Sequence, residues 1–116
     1  MALANLLSVV GQQVKIRVSS QKRLLAISDP KLAGYPICFL HGRRAFRLTE
    51  PERKALAEYI QRGGFLFADA ICANRQFIES FYREMKAIFP DQALERIPLE
   101  HPLFTEEFRG FDLSAV

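Results

Sequence analysis

Hydrophobic positions along the chain change period several times, and each change marks an element. Leu3, Leu6, Leu7 and Val10 recur three and four residues apart, the spacing of one face of an α-helix, and Gly11 stands where such a helix would stop. Val14, Ile16 and Val18 then alternate with Lys15 and Arg17, the mark of a strand with one wet face near the edge of a sheet. Leu24, Leu25 and Ile27 form an apolar run with no assignable period, and Pro30 after Asp29 opens one helical turn. Ile37, Cys38, Phe39 and Leu40 are apolar without alternation, as are Phe65, Leu66, Phe67 and Ala68 before Asp69. A strand covered by helices on both faces reads this way. These two runs are therefore expected to be adjacent, parallel and almost fully buried.

The segments between them carry helix signals. Thr49 stands three residues before Glu52, so its hydroxyl can accept the Glu52 backbone N–H while the carboxylate reaches back, and Pro51 suits the first turn. The helix that follows is expected to bury Leu56, Tyr59 and Ile60, to leave Arg53, Lys54, Glu58 and Arg62 largely outside, and to stop at Gly63-Gly64. Asn74 is placed to cap a further helix with Phe77, Phe81, Met85 and Ile88 on its inner face, ended by Phe89-Pro90. A weaker strand is expected at 94–97. Strand, helix, strand, helix, strand with short links makes an open parallel sheet with right-handed crossovers the economical α/β arrangement. Residues 1–116 read as one domain without internal repeat, low-complexity stretch or linker.

Composition narrows the classes. A chain of 116 residues can bury a real core, and 49% hydrophobic with 25% charged residues excludes a disordered or fibrous protein. The formal charge of +3 is not gathered into a basic stripe, and Trp is absent, which argues against nucleic acid as a partner. The apolar opening has no preceding Lys or Arg and is broken by Asn5 and Ser8, so it reads as a helix and not a signal peptide. No apolar run approaches the roughly 20 residues of a membrane span. A cytoplasmic location is expected, any targeting or membrane segment belonging to a longer parent protein. Cys38 and Cys72 are too few for a disulfide scaffold and are expected to be reduced and buried.

Ligands of open parallel sheets sit beyond the carboxyl ends of the strands, and polar residues cluster where that edge is expected. His41, Gly42, Arg43 and Arg44 follow the first central strand, with Arg47 in the same loop; Asp69, Cys72 and Asn74 follow the second; His101 follows the weak third. Guanidinium forks suit phosphate or carboxylate. His41 and His101 are expected to be turn or capping residues rather than metal ligands. Cys72 stands after a strand, as a nucleophile would, but a strained nucleophile turn wants small neighbours and a His base; Ala73 is small and Ile71 is not. His41, Asp69, Cys72 and His101 are metal-ligand types in separate loops and match no short metal signature, so neither metal nor cofactor is expected.

Asp29-Pro30, Tyr35-Pro36, His41-Gly42, the run from Gly63-Gly64 through Phe65, Leu66, Phe67 and Ala68 to Asp69, Arg83-Glu84-Met85, Phe89-Pro90 and His101-Pro102-Leu103 together resemble a bacterial domain of unknown function, numbered forty-one fifty-nine. That family is similar to class I glutamine-amidotransferase-like and trehalose-utilisation-like domains, so the resemblance implies an open, mostly parallel, flavodoxin-like three-layer sandwich. Members usually begin with a further strand upstream and continue past the His101-Pro102-Leu103 segment. The resemblance thus implies that this chain is the middle of a longer domain, with residues 14–18 either pairing with 37–40 or leaving a strand edge through which copies associate. The family often has Gly shortly after the Asp that ends the second strand, where this chain has Ala70, Ile71, Cys72, Ala73 and Asn74. The late His and Glu of true glutamine amidotransferases have no counterpart before Val116. The expected function is a noncatalytic module that binds a small molecule or protein partner through His41, Gly42, Arg43, Arg44, Asp69 and Asn74, with Cys72 beside them. The rival is a hydrolase or amide-transferring enzyme in which Asp69 or Cys72 is active, with His41 a further candidate and the missing groups supplied beyond the chain or by a partner.

Overall fold

Helix α1 covers Ala2–Gln13, so it runs through Gly11 instead of ending there. The structure, a computed structural model, describes residues 2–13, 17, 19, 23–105 and 107; of the expected strand at 14–18, all but Arg17 lie outside the described residues. Asp29 accepts the Lys31 backbone N–H at 2.9 Å and caps one tight turn, Pro30–Gly34. Strand β1, Ile37–Gly42, leads into helix α2, Glu50–Gln61, then strand β2, Phe65–Ala70, and helix α3, Arg75–Ile88. The strands are adjacent and parallel, Ile37 opposite Phe65 through to Gly42 opposite Ala70. No described helix is long and apolar enough to cross a membrane.

Both ends of α2 follow from its sequence. The Thr49 N–H donates to Glu52 Oε2 at 2.7 Å and the Glu52 N–H to Thr49 Oγ1 at 3.4 Å, completing the capping box. At the other end the Gly63 N–H donates to the Ile60 carbonyl at 3.0 Å and the Gly64 N–H to the Tyr59 carbonyl at 2.9 Å, which satisfies carbonyls the helix leaves free. The two glycines are needed for different reasons. Gly63 has φ +93°, which side chains resist, whereas a Cβ on Gly64 would lie 2.5 Å from the Tyr59 ring.

The core is Leu32, Leu48, Leu56, Tyr59 and Met85, with Cys38, Phe46, Ile60, Leu66, Phe81 and Ile88 packed against it. Cys38 and Leu66 are register partners, so α2 and α3 cover the same face of the sheet. The opposite face, carrying Ile37, Phe39 and His41 on β1 with Phe65, Phe67 and Asp69 on β2, is largely open: Phe65 is 59% exposed and Phe67 45%. The expectation of almost fully buried strands is therefore wrong. Among the described residues only one helical layer packs on the sheet, and the outer apolar side chains find partners along it instead: the Phe39 ring lies 5.5 Å from Phe67 and 5.0 Å from His41, and Phe65 lies 6.5 Å from Phe67.

The third strand is also corrected. Residues 94–97 form no strand, and Leu94 and Ile97 are exposed. Glu95 and Arg96 interrupt the apolar run, and Pro98 lacks the N–H that a continuing ladder needs. Among the described residues the sheet therefore has two strands, each with an open outer edge.

Candidate functional site

Both strands extend beyond their apolar runs, which sets His41 opposite Asp69 and Gly42 opposite Ala70 at the carboxyl edge. A Cβ on Gly42 would meet Phe77 Cδ2 at 2.9 Å, so the bare glycine lets the first turn of α3 close on the end of β1. Asn74 Oδ1 accepts the Phe77 N–H at 3.0 Å and caps α3 as expected. Between β2 and that cap the chain turns through Cys72 at φ +55° and Ala73 at φ +51°, a left-handed pair without glycine that costs roughly 1–2 kcal/mol per residue. Cys72 is exposed there, against the expectation of burial, because the chain has already left the sheet and its core face. Cys38, on the covered face, is half-buried, and burial pushes its thiol pKa up.

The loop 43–49 after β1 is held by α3. The Phe46 N–H donates to Ser80 Oγ at 3.1 Å, Ser80 Oγ donates to the Gln76 carbonyl at 2.8 Å, and Arg83 Nη2 donates to the Phe46 carbonyl. The Phe46 ring packs 5.1 Å from Phe77. Arg83 also reaches Glu84 Oε1 at 3.2 Å, and Arg53 Nε reaches Glu84 Oε2 at 2.7 Å. The Glu84 carboxylate, with 0% of its side chain exposed, is held below the ordinary glutamate range by the Arg53 hydrogen bond above all; burial opposes this, and Arg83 adds to it. Arg53 is thus not a purely outward residue of α2. The loop leaves Arg43, Arg44 and Arg47 exposed, while the ion pairs among the described residues use Arg53, Arg75 and Arg83.

The structure brings His41, Gly42 and Asp69 together by strand register, and attaches Cys72 and Asn74 to the same edge through the turn into α3. His41 is not a turn or cap residue; its ring stacks on Phe39 on the open face. His101 is a cap residue, its Nδ1 accepting the Leu103 N–H at 3.1 Å in a separate turn. Among the described residues no three His, Cys, Asp or Glu side chains come together to hold a metal ion. Two open cavities lie elsewhere. One of about 540 Å³ is lined by Asp29, Tyr35, Tyr59, Arg62 and Gly64, and one of about 850 Å³ by Phe65, Leu66, Tyr82, Phe89 and Leu94.

Sequence reading missed Ser80, Arg83 and Glu84 as the anchors of the arginine loop. The signal was there in part: Ser80 and Glu84 fall in helical phase with Phe77, Phe81, Met85 and Ile88, so two polar residues occupy the inner face of α3 and must find partners there. Fold and edge together define a mixed helix and strand protein with a parallel sheet and an exposed, arginine-bearing carboxyl end. The chain belongs to the family described as Domain of unknown function (DUF4159), whose model matches residues 1–113. No curated protein matches it.

Proposed function

We propose that the chain is a noncatalytic binding module of a flavodoxin-like, glutamine-amidotransferase-like domain, and that it takes a ligand bearing phosphate or carboxylate at the carboxyl edge of the sheet. The observation that carries this reading is the loop 43–49, fixed at Phe46 to α3 while Arg43, Arg44 and Arg47 stay exposed. Guanidinium groups on a fixed backbone lose less freedom on binding an anion than those on a free loop. His41 and Gly42 continue the edge, Asn74 keeps its amide N–H groups as donors after its Oδ1 is used in the cap, and Asp69 offers an acceptor for a ligand hydroxyl. The flavodoxin-like part of the reading rests on the parallel β1, α2, β2 crossover and on the family resemblance. Among the described residues β1 and β2 pair only with each other, which leaves outer edges suited to pairing between copies of the chain.

One observation favours an enzyme instead. Cys72 is exposed in a left-handed turn between a strand and a helix cap, the kind of place where nucleophiles are presented. A single experiment separates the readings: inorganic pyrophosphate and citrate are titrated into ¹⁵N-labelled protein while Cys72 alkylation by iodoacetamide is followed at neutral pH. Binding gives saturable shifts at 42–47 and 74–76 that weaken with salt, and the double variant Arg43→Ala/Arg44→Ala lowers affinity about tenfold, the scale of one charge-assisted hydrogen bond. An edge silent to both anions, with rapid stoichiometric alkylation of Cys72, would sink the module and leave the enzyme.

A further inference from the structure

We infer that Ser80 and Arg83 of α3, braced by Glu84, are positioning residues that set the conformation of the arginine loop; the inference rests on the reading of that loop as the binding element. Ser80 and Arg83 stand three residues apart on one helix face, and between them they engage both backbone groups of Phe46, Ser80 Oγ taking its N–H at 3.1 Å and Arg83 Nη2 donating to its carbonyl. Holding N–H and C=O of one residue fixes the peptide planes on either side of it. Arg47 follows that residue directly, and Arg44 precedes it by two positions.

Each anchor is itself oriented. Ser80 donates its own proton to the Gln76 carbonyl at 2.8 Å, which leaves its oxygen free to accept from Phe46. The Arg83 guanidinium is turned by Glu84 Oε1 at 3.2 Å, and Glu84 Oε2 is held from α2 by Arg53 Nε at 2.7 Å. Orientation therefore passes from α2 through a buried carboxylate to a partly exposed arginine, and from there to the loop. Core packing alone does not call for this last link, since 45% of the Arg83 side chain is exposed.

The test uses the full chain with residue-resolved amide exchange and a pyrophosphate titration on wild type, Ser80→Ala, Arg83→Met and Arg83→Lys. The Phe46 amide is expected to exchange about tenfold faster in Ser80→Ala, the scale of one lost hydrogen bond, while the Leu56 and Met85 amides keep their rates and show that the fold persists. Arg83→Met weakens pyrophosphate binding about fivefold and Arg83→Lys, which can still donate to the Phe46 carbonyl, recovers part of it. Unchanged Phe46 exchange in Ser80→Ala overturns the inference. So does a loosened loop with unchanged affinity. If wild type fails to bind pyrophosphate, the binding reading falls, and the exchange rates still decide whether the anchors set the loop.

Discussion

The two faces of the sheet are built from the same apolar runs and have opposite fates. On the covered face Cys38 and Leu66 pack against Leu32, Leu48, Leu56, Tyr59 and Met85; on the open face Phe39, Phe65, Phe67 and His41 lie against one another and face water in part. The first face is held by burial against helices, the second by ring contacts within the sheet. An apolar run without alternation therefore does not by itself show that both faces of a strand carry a covering layer. Removing a side chain from each face measures the difference.

The largest effect is expected at Leu56, which is 1% exposed at the centre of the covered face. Leu56→Ala should lower unfolding free energy by about 2–5 kcal/mol, the transfer loss plus the cavity left behind, read from urea denaturation. A loss under about 1 kcal/mol would mean that the covered face collapses freely onto the gap, and the contrast between faces would disappear.

A smaller effect is expected on acidification, and it tests the polar side of the covered layer. The Glu84 carboxyl is depressed in the folded chain, first by Arg53 and then by Arg83, so the unfolded state binds more protons between the folded and unfolded pKa values and stability rises with pH there. The contribution is complete above the ordinary glutamate range and is lost as pH falls through the lowered folded value. In Glu84→Gln that part of the acid loss should vanish when denaturation midpoints are compared from neutral pH downward. An unchanged acid profile would show that the Arg53–Glu84–Arg83 bridge contributes nothing to holding the layer.

Local elements were legible in the sequence because each signal acts within a few residues. The Thr49 to Glu52 box, the Gly63-Gly64 stop, the Asn74 cap and the Asp29-Pro30 turn all lie where their chemistry requires. What needed the third dimension was longer in range. Nothing in 37–40 or 65–68 says how many layers cover them, and at 94–97 the signals against a strand, Glu95, Arg96 and the following Pro98, were outweighed by the apolar ends of the run. The candidate site was legible as an edge, because His41 and Asp69 end two runs that pair in register. Its anchoring was not, since Phe46 and Ser80 are 34 positions apart. Exposure of Cys72 was missed for a related reason, as residue type suggested burial and only the left-handed turn places it outside.

The smallest effect is expected on the open face, at Phe67. Phe67→Thr puts a β-branched residue suited to a strand in place of the aromatic one and removes the ring that meets Phe39 at 5.5 Å and Phe65 at 6.5 Å. With 45% of Phe67 already exposed, the loss combines the remaining burial of the ring, about 1–2 kcal/mol after the Thr methyl is counted, with ring contacts of about 0.5–1.5 kcal/mol; it should stay below that of Leu56→Ala, and the β1 to β2 register should persist in the amide pattern. A loss as large as that of Leu56→Ala would break the comparison. It would show that something in the folded protein covers this face as firmly as α2 and α3 cover the other, since a half-exposed ring has less buried area to lose than its full burial would give.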